Sequence, residues 1–113
     1  MNLTFKHKNK KIELEVKKCN LFSMVRGLMF TRKDDAKALL LFNFNKPNNI
    51  SIHSYFVFFP FVAIWLDNKN KIVDLRIVKP FKLGIYSKKS FTKIVEIPIN
   101  KKYNRVIKLL VGD

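Results

Sequence analysis

A chain of 113 residues, 48% hydrophobic and 27% charged, is sized for one packed domain spanning residues 1–113 and has too much apolar content for a disordered segment. Its 23 Lys plus Arg against 8 Asp plus Glu give a net charge of +15, which points to polyanions or anionic surfaces. A single cysteine, Cys19, excludes an internal disulfide and suits a reducing compartment.

Two explanations of the charge stand side by side. A compositional drift toward Lys, Asn, Ile and Phe would also raise Glu, yet Glu occurs only as Glu13, Glu15 and Glu96. Attraction to polyanions accounts for the missing acids directly.

In chain order, Leu3 and Phe5 alternate with polar residues, His7 to Lys10 reads as a turn, and Ile12, Leu14 and Val16 alternate again. This is a hairpin with one apolar face. The first fifteen residues repeat Lys and hold no apolar block, unlike a secretory signal, so a cytoplasmic protein is expected. Ser23 caps an expected short helix through Phe30, with Met24 and Leu28 on one face. Asp34 and Asp35 fall in a charged loop. The run Ala38 to Phe44 reads as a continuous apolar strand, and Pro47-Asn48-Asn49 as the turn into a strand from Ile50 to Phe56.

Ile50 to Leu66 is uncharged over 17 residues, short of the roughly 20 that a membrane helix needs, and Pro60 and His53 interrupt it. Two buried strands joined near Phe59-Pro60 explain the run better. Phe61 to Asp67 and Ile72 to Val78 then form a second hairpin across Asn68-Lys69-Asn70-Lys71. A four-residue loop predicts that Val62, Ile64, Leu66, Val73, Leu75 and Ile77 share one buried face, opposite a mixed face of Phe61, Ala63, Trp65, Asp74, Arg76 and Val78. Pro80 ends that strand, Lys82 to Ser90 is a loop, and Phe91 to Ile97 is a further strand ended by Pro98. Asn100 caps a last helical turn around Tyr103 to Leu109.

About seven short strands with one or two short helices predict a mainly β (α+β) fold, a small antiparallel barrel or a strongly curved sheet. The ordered series Gly27-Leu28-Met29, Ser51-Ile52-His53, Pro60, Trp65-Leu66-Asp67, Glu96-Ile97-Pro98 and Gly112-Asp113 resembles the family known as domain of unknown function 192, from about Cys19 to Asp113. That resemblance implies the same compact β architecture and no established activity. It also implies a basic residue at Arg26 and an acid at Glu96. His53 matches a position that is Trp in many members and His in an archaeal-looking set. Val62 departs from the pattern, which commonly has Asp two residues after the matching Pro.

The chain holds no phosphate-cradling glycine loop, no nucleophile elbow and no spacing of His, Cys and carboxylates suited to zinc. No cofactor is expected, and a non-enzymatic protein is favoured. Arg26, His53 and Glu96 are the candidate pocket residues: Arg26 offers a planar fork to a carboxylate or anion, and His53 sits in an apolar segment as a core histidine or a ligand contact. Lys8, Lys10, Lys11, Lys88, Lys89, Lys101 and Lys102 are candidate polyanion contacts, with Tyr86 and Tyr103 placed to stack on bases. The leading expectation is therefore a protein that binds RNA or another polyanion through Lys-rich loops, with no membrane association. The alternatives are a small-ligand-binding protein or enzyme at Arg26, His53 and Glu96, and a module that docks on an acidic protein partner.

Overall fold

The computed structural model describes residues 2–18, 36–48, 59–81 and 85–111. The expected helix from Ser23, the strand from Ile50 to Phe56, Cys19, Arg26 and His53 lie outside these residues.

Strands β1 (Asn2–His7) and β2 (Lys10–Glu15) pair antiparallel, with Leu3 opposite Leu14 and Phe5 opposite Ile12. These four side chains and Val16 are buried, so the alternation sets the register. Lys8 and Asn9 both take left-handed backbone, φ 50° and 66°, the requirement of a two-residue hairpin turn of the primed type.

A separate five-stranded sheet has the order β3-β4-β7-β5-β6. It comprises β3 (Lys17–Lys18), β4 (Leu39–Asn48), β5 (Phe61–Leu66), β6 (Ile72–Val78) and β7 (Phe91–Pro98). All pairs are antiparallel except β3 with β4. The fold is thus mostly β, and neither sheet closes on itself among the described residues. A short 3-10 turn, Lys101–Tyr103, leads into helix α1 (Asn104–Val111). As expected, Asn100 caps it: its side chain accepts from Lys102 N at 3.1 Å, and its Nδ2 donates to Ala36 O at 3.3 Å.

The five-stranded sheet is covered on both faces. One face carries Leu39, Phe61, Ala63, Trp65, Val78, Phe91 and Ile94, joined by Phe59 and Ile85. The other carries Leu40, Val62, Ile64, Leu66, Val95 and Ile97, on which the β1–β2 hairpin and Leu110 of α1 pack. Burial on both faces is why β5 reads as a continuous apolar run, and why β7 carries adjacent buried apolar residues at Ile94 and Val95 instead of a clean alternation.

Two expectations are corrected. Pro47 and Asn48 do not form a turn; β4 runs through them. Pairing with β7 is irregular between Asn43 and Asn48 and resumes at Asn48 opposite Phe91, so the missing proline N–H falls where no regular ladder needs a donor.

The second correction is to the β5–β6 hairpin, whose six apolar residues do not share a face. Asp67 N donates to Lys71 O at 3.0 Å, which shortens the loop to three residues, with Asn70 left-handed at φ 61°. Leu66 is therefore opposite Ile72 while Trp65 remains opposite Asp74. Val73 is the extra residue of a bulge, and it packs against the cluster on the opposite face, the one that holds Trp65. From Phe61 to Trp65 the pairing is as expected, but Ile77 at the sheet margin is 54% exposed.

Candidate functional site

The β1–β2 and β5–β6 turns come together through backbone geometry. Lys6 forms an isolated parallel bridge with Lys71, and Asn70 Nδ2 donates to Thr4 O at 3.0 Å. Asn70 is held from a second side, because Lys93 Nζ of β7 donates to its Oδ1. Asp67 shapes the turn: its Oδ1 accepts from Lys69 N at 2.8 Å and Lys71 N at 2.9 Å. Its negative charge is thereby engaged by backbone donors.

Between the two turns lies a cleft of about 520 Å³ lined by Thr4, Phe5, Lys6, His7, Lys8, Asn9, Lys69, Asn70 and Lys71. None of these described lining residues is acidic. His7 Nε2 is buried with no hydrogen-bond partner among the described residues, which is costly for a polar ring nitrogen and marks the cleft as incompletely served.

The N-terminal end of β7 lies at the same end of the sheet. Lys93 is opposite Leu66, the last residue of β5, and Lys88 N donates to Asp74 Oδ2 at 2.9 Å. Asp74 also pairs with Arg76 Nε at 3.7 Å. The fold thus gathers Lys6, Lys8, Lys10, Lys11, Lys69, Lys71, Lys88, Lys89 and Lys93 toward one end. Of these, Lys8, Lys10, Lys11, Lys88 and Lys89 are expected from the sequence. Lys6, Lys69, Lys71 and Lys93 are not, because their grouping depends on the docking of two turns far apart in the chain.

Lys101 and Lys102 lie beyond the opposite end of β7, a strand of eight residues and roughly 26 Å. They do not join the same cluster. Lys102 instead lines a second cleft of about 520 Å³ with Glu15, Lys17, Lys37 and Tyr103. The tyrosines separate in the same way. Tyr86 is 57% exposed, but Tyr103 packs against the core, and its hydroxyl accepts from Ala38 N at 2.8 Å. Tyr103 is a structural tether, not a free stacking ring.

Of the three candidate pocket residues, the described structure includes only Glu96. It lies in the middle of β7, opposite Leu39 of β4 and Ala63 of β5, and is 4% exposed. Burial pushes its carboxyl up from the ordinary 4.5 to about 8, because a charge there would lose its hydration. Trp65, on the same face, meets Phe91 edge to face at 6.5 Å, and its buried Nε1 has no hydrogen-bond partner among the described residues. Among the described residues no group of three or more His, Cys, Asp or Glu could hold a metal ion. No helix among them is long and apolar enough to cross a membrane.

Fold and surface together define a small β-rich domain with a two-faced open sheet and a lysine-lined cleft at one end. The chain belongs to the domain of unknown function 192 family, an uncharacterized ACR family, whose sequence pattern matches residues 2–109. No curated protein matches it. Among solved structures it is similar to a protein of unknown function from Novosphingobium aromaticivorans, with 14% identity and a TM-score of 0.72 over 93% of this chain and 76% of that one. It is also similar to a Sinorhizobium meliloti protein described as "a putative transcription regulator", with 15% identity and a TM-score of 0.71 over 91% of this chain and 81% of that one. At these identities the likeness is one of fold.

Proposed function

We propose that the chain is a non-enzymatic protein of the cytoplasm that binds RNA, or a polyanion of similar charge density, through the lysines gathered at one end of the sheet. The docking of the two hairpin turns carries this reading, since it concentrates lysines around a cleft whose described lining residues include no acid. Clustered cations raise the local potential and attract a phosphate backbone more than the same charges evenly spread. Tyr86, exposed near Lys88 and Lys89, adds a ring for base stacking.

The test is a salt titration on single-stranded RNA. If about six phosphates are neutralised, affinity should fall by roughly a few hundredfold between 50 and 200 mM salt, given the slope of a single strand. A Lys69→Glu, Lys71→Glu, Lys88→Glu, Lys89→Glu variant should bind far more weakly than Lys101→Glu, Lys102→Glu, which changes the distant end. Equal binding by the first variant and the parent, or no binding by the parent at 50 mM salt, removes the reading.

One observation favours a second reading, a small-ligand or enzymatic pocket at Arg26, His53 and Glu96. A carboxyl kept neutral up to about pH 8 by burial is a ready proton donor to a bound molecule. Native mass spectrometry of the purified protein should then show a retained small molecule that Glu96→Gln loses.

A further inference from the structure

We infer that the cleft between the two hairpin turns is a discrete site for a phosphomonoester, the terminal phosphate of an RNA strand or of a nucleotide, and not merely part of a diffuse basic surface. This rests on the polyanion reading and specifies which phosphate the protein prefers.

Three features of the cleft point to a chain end. First, its two walls are tied to each other by the Lys6–Lys71 bridge and by Asn70 Nδ2 on Thr4 O. A strand threading between the walls would have to part these ties, whereas an end only has to enter. A volume of about 520 Å³ lies within the range of small-molecule sites, which is larger than a crevice between loops needs to be.

Second, Lys6, Lys8, Lys69 and Lys71 line the cleft from two hairpins, and Asp67, beside the β5–β6 turn, is already engaged by two backbone N–H groups. An internal phosphodiester carries one negative charge. A phosphomonoester carries about −1.5 to −2 at neutral pH and presents three acceptor oxygens. Several ammonium groups around one point reward the second charge, while a flat basic surface rewards only the number of phosphates.

Third, His7 lines the same cleft, and its Nε2 is a buried polar atom without a partner among the described residues. With its proton on Nε2 and the ring turned toward the cleft, His7 would donate to an oxyanion that enters between the turns. Lysine side chains are long enough to fold over the anion afterwards, which would exclude water from the contact.

The experiment compares single-stranded oligouridylates of one length that carry a 5′-phosphate, a 3′-phosphate or hydroxyls at both ends. Uridine monophosphate and uridine, titrated separately, report on the free nucleotide. Binding is measured by fluorescence anisotropy for the oligonucleotides and by calorimetry for the small molecules. At least one phosphorylated end should bind about tenfold more tightly than the hydroxyl-ended strand, as expected for one added charge met by charge-assisted hydrogen bonds. Lys69→Gln, Lys71→Gln should abolish this preference, and Lys88→Gln, Lys89→Gln should lower overall affinity while keeping it. Circular dichroism establishes that both variants are folded. A preference for uridine monophosphate over uridine that is lost in the same variant identifies the free nucleotide as the source. Equal affinity for phosphate and hydroxyl ends, or a preference that survives Lys69→Gln, Lys71→Gln, overturns the inference and leaves general RNA binding standing. No binding of any oligonucleotide at 50 mM salt removes both.

Discussion

Glu96 is the residue where sequence and environment conflict most: an acid in the central strand of a sheet buried on both faces, flanked by Leu39 and Ala63. Because its folded pKa of about 8 lies above the ordinary 4.5, the folded chain keeps a proton that the unfolded chain loses. Below about pH 4.5 the group is neutral in both states and costs nothing. Between pH 4.5 and 8, stability falls as pH rises, at about 1.4 kcal/mol per pH unit for this one group, and above pH 8 the loss is complete, on the order of 5 kcal/mol. Glu96→Gln should therefore be more stable than the parent by a few kcal/mol at pH 8 and nearly equal to it at pH 4.5, as read from urea unfolding. A parent whose stability is flat from pH 5 to 8 would mean that the carboxyl is charged and paired. The sequence singles out Glu96 through its place in the family-like series, but not its burial, because β7 alternates poorly and only the two-sided covering of the sheet sets the environment.

The β5–β6 hairpin shows how far local pattern reaches at the level of an element. The apolar run and the turn residues are enough to predict both strands and the pairs from Phe61–Val78 to Trp65–Asp74. They do not reveal that Asp67 closes a three-residue loop with its own backbone and carboxylate, which shifts Val73 across the sheet. Nor does periodicity distinguish a central position from an edge one. Ile64 is fully buried between β7 and β6, whereas Ile77, two pairs away on the same side of the hairpin, is 54% exposed. Ile64→Ala should cost about 2 to 5 kcal/mol and Ile77→Ala less than about 1 kcal/mol. Similar losses at both positions in urea unfolding would mean that β6 is covered rather than marginal. Asp67→Ala removes two charge-assisted turn contacts and should cost about 1 to 3 kcal/mol in the same assay.

For the molecule as a whole, the net charge of +15 is legible at once, but its arrangement is not. The lysine clusters depend on which turns dock on which, and single-chain patterning carries no direct record of that contact. Of the 8 acids, Glu96 is buried, and Asp67 and Asp74 are committed to backbone and arginine contacts; Glu13 and Glu15, exposed along β2, offset only part of the charge of Lys6, Lys8, Lys10 and Lys11 on the same hairpin. Bringing like charges together opposes folding, and salt screens that repulsion over about 8 to 10 Å at 0.10 to 0.15 M ionic strength. The melting temperature should accordingly rise as sodium chloride increases from 20 to about 300 mM. A single-stranded RNA added at 20 mM salt should raise it further, because a ligand that binds the folded state stabilises it by mass action. The RNA effect should shrink as salt is added, while the direct salt effect grows. Salt would also stabilise a fold whose +15 charge was evenly scattered, so the RNA increment at low salt, present for a clustered site and nearly absent for scattered charge, is what separates the two.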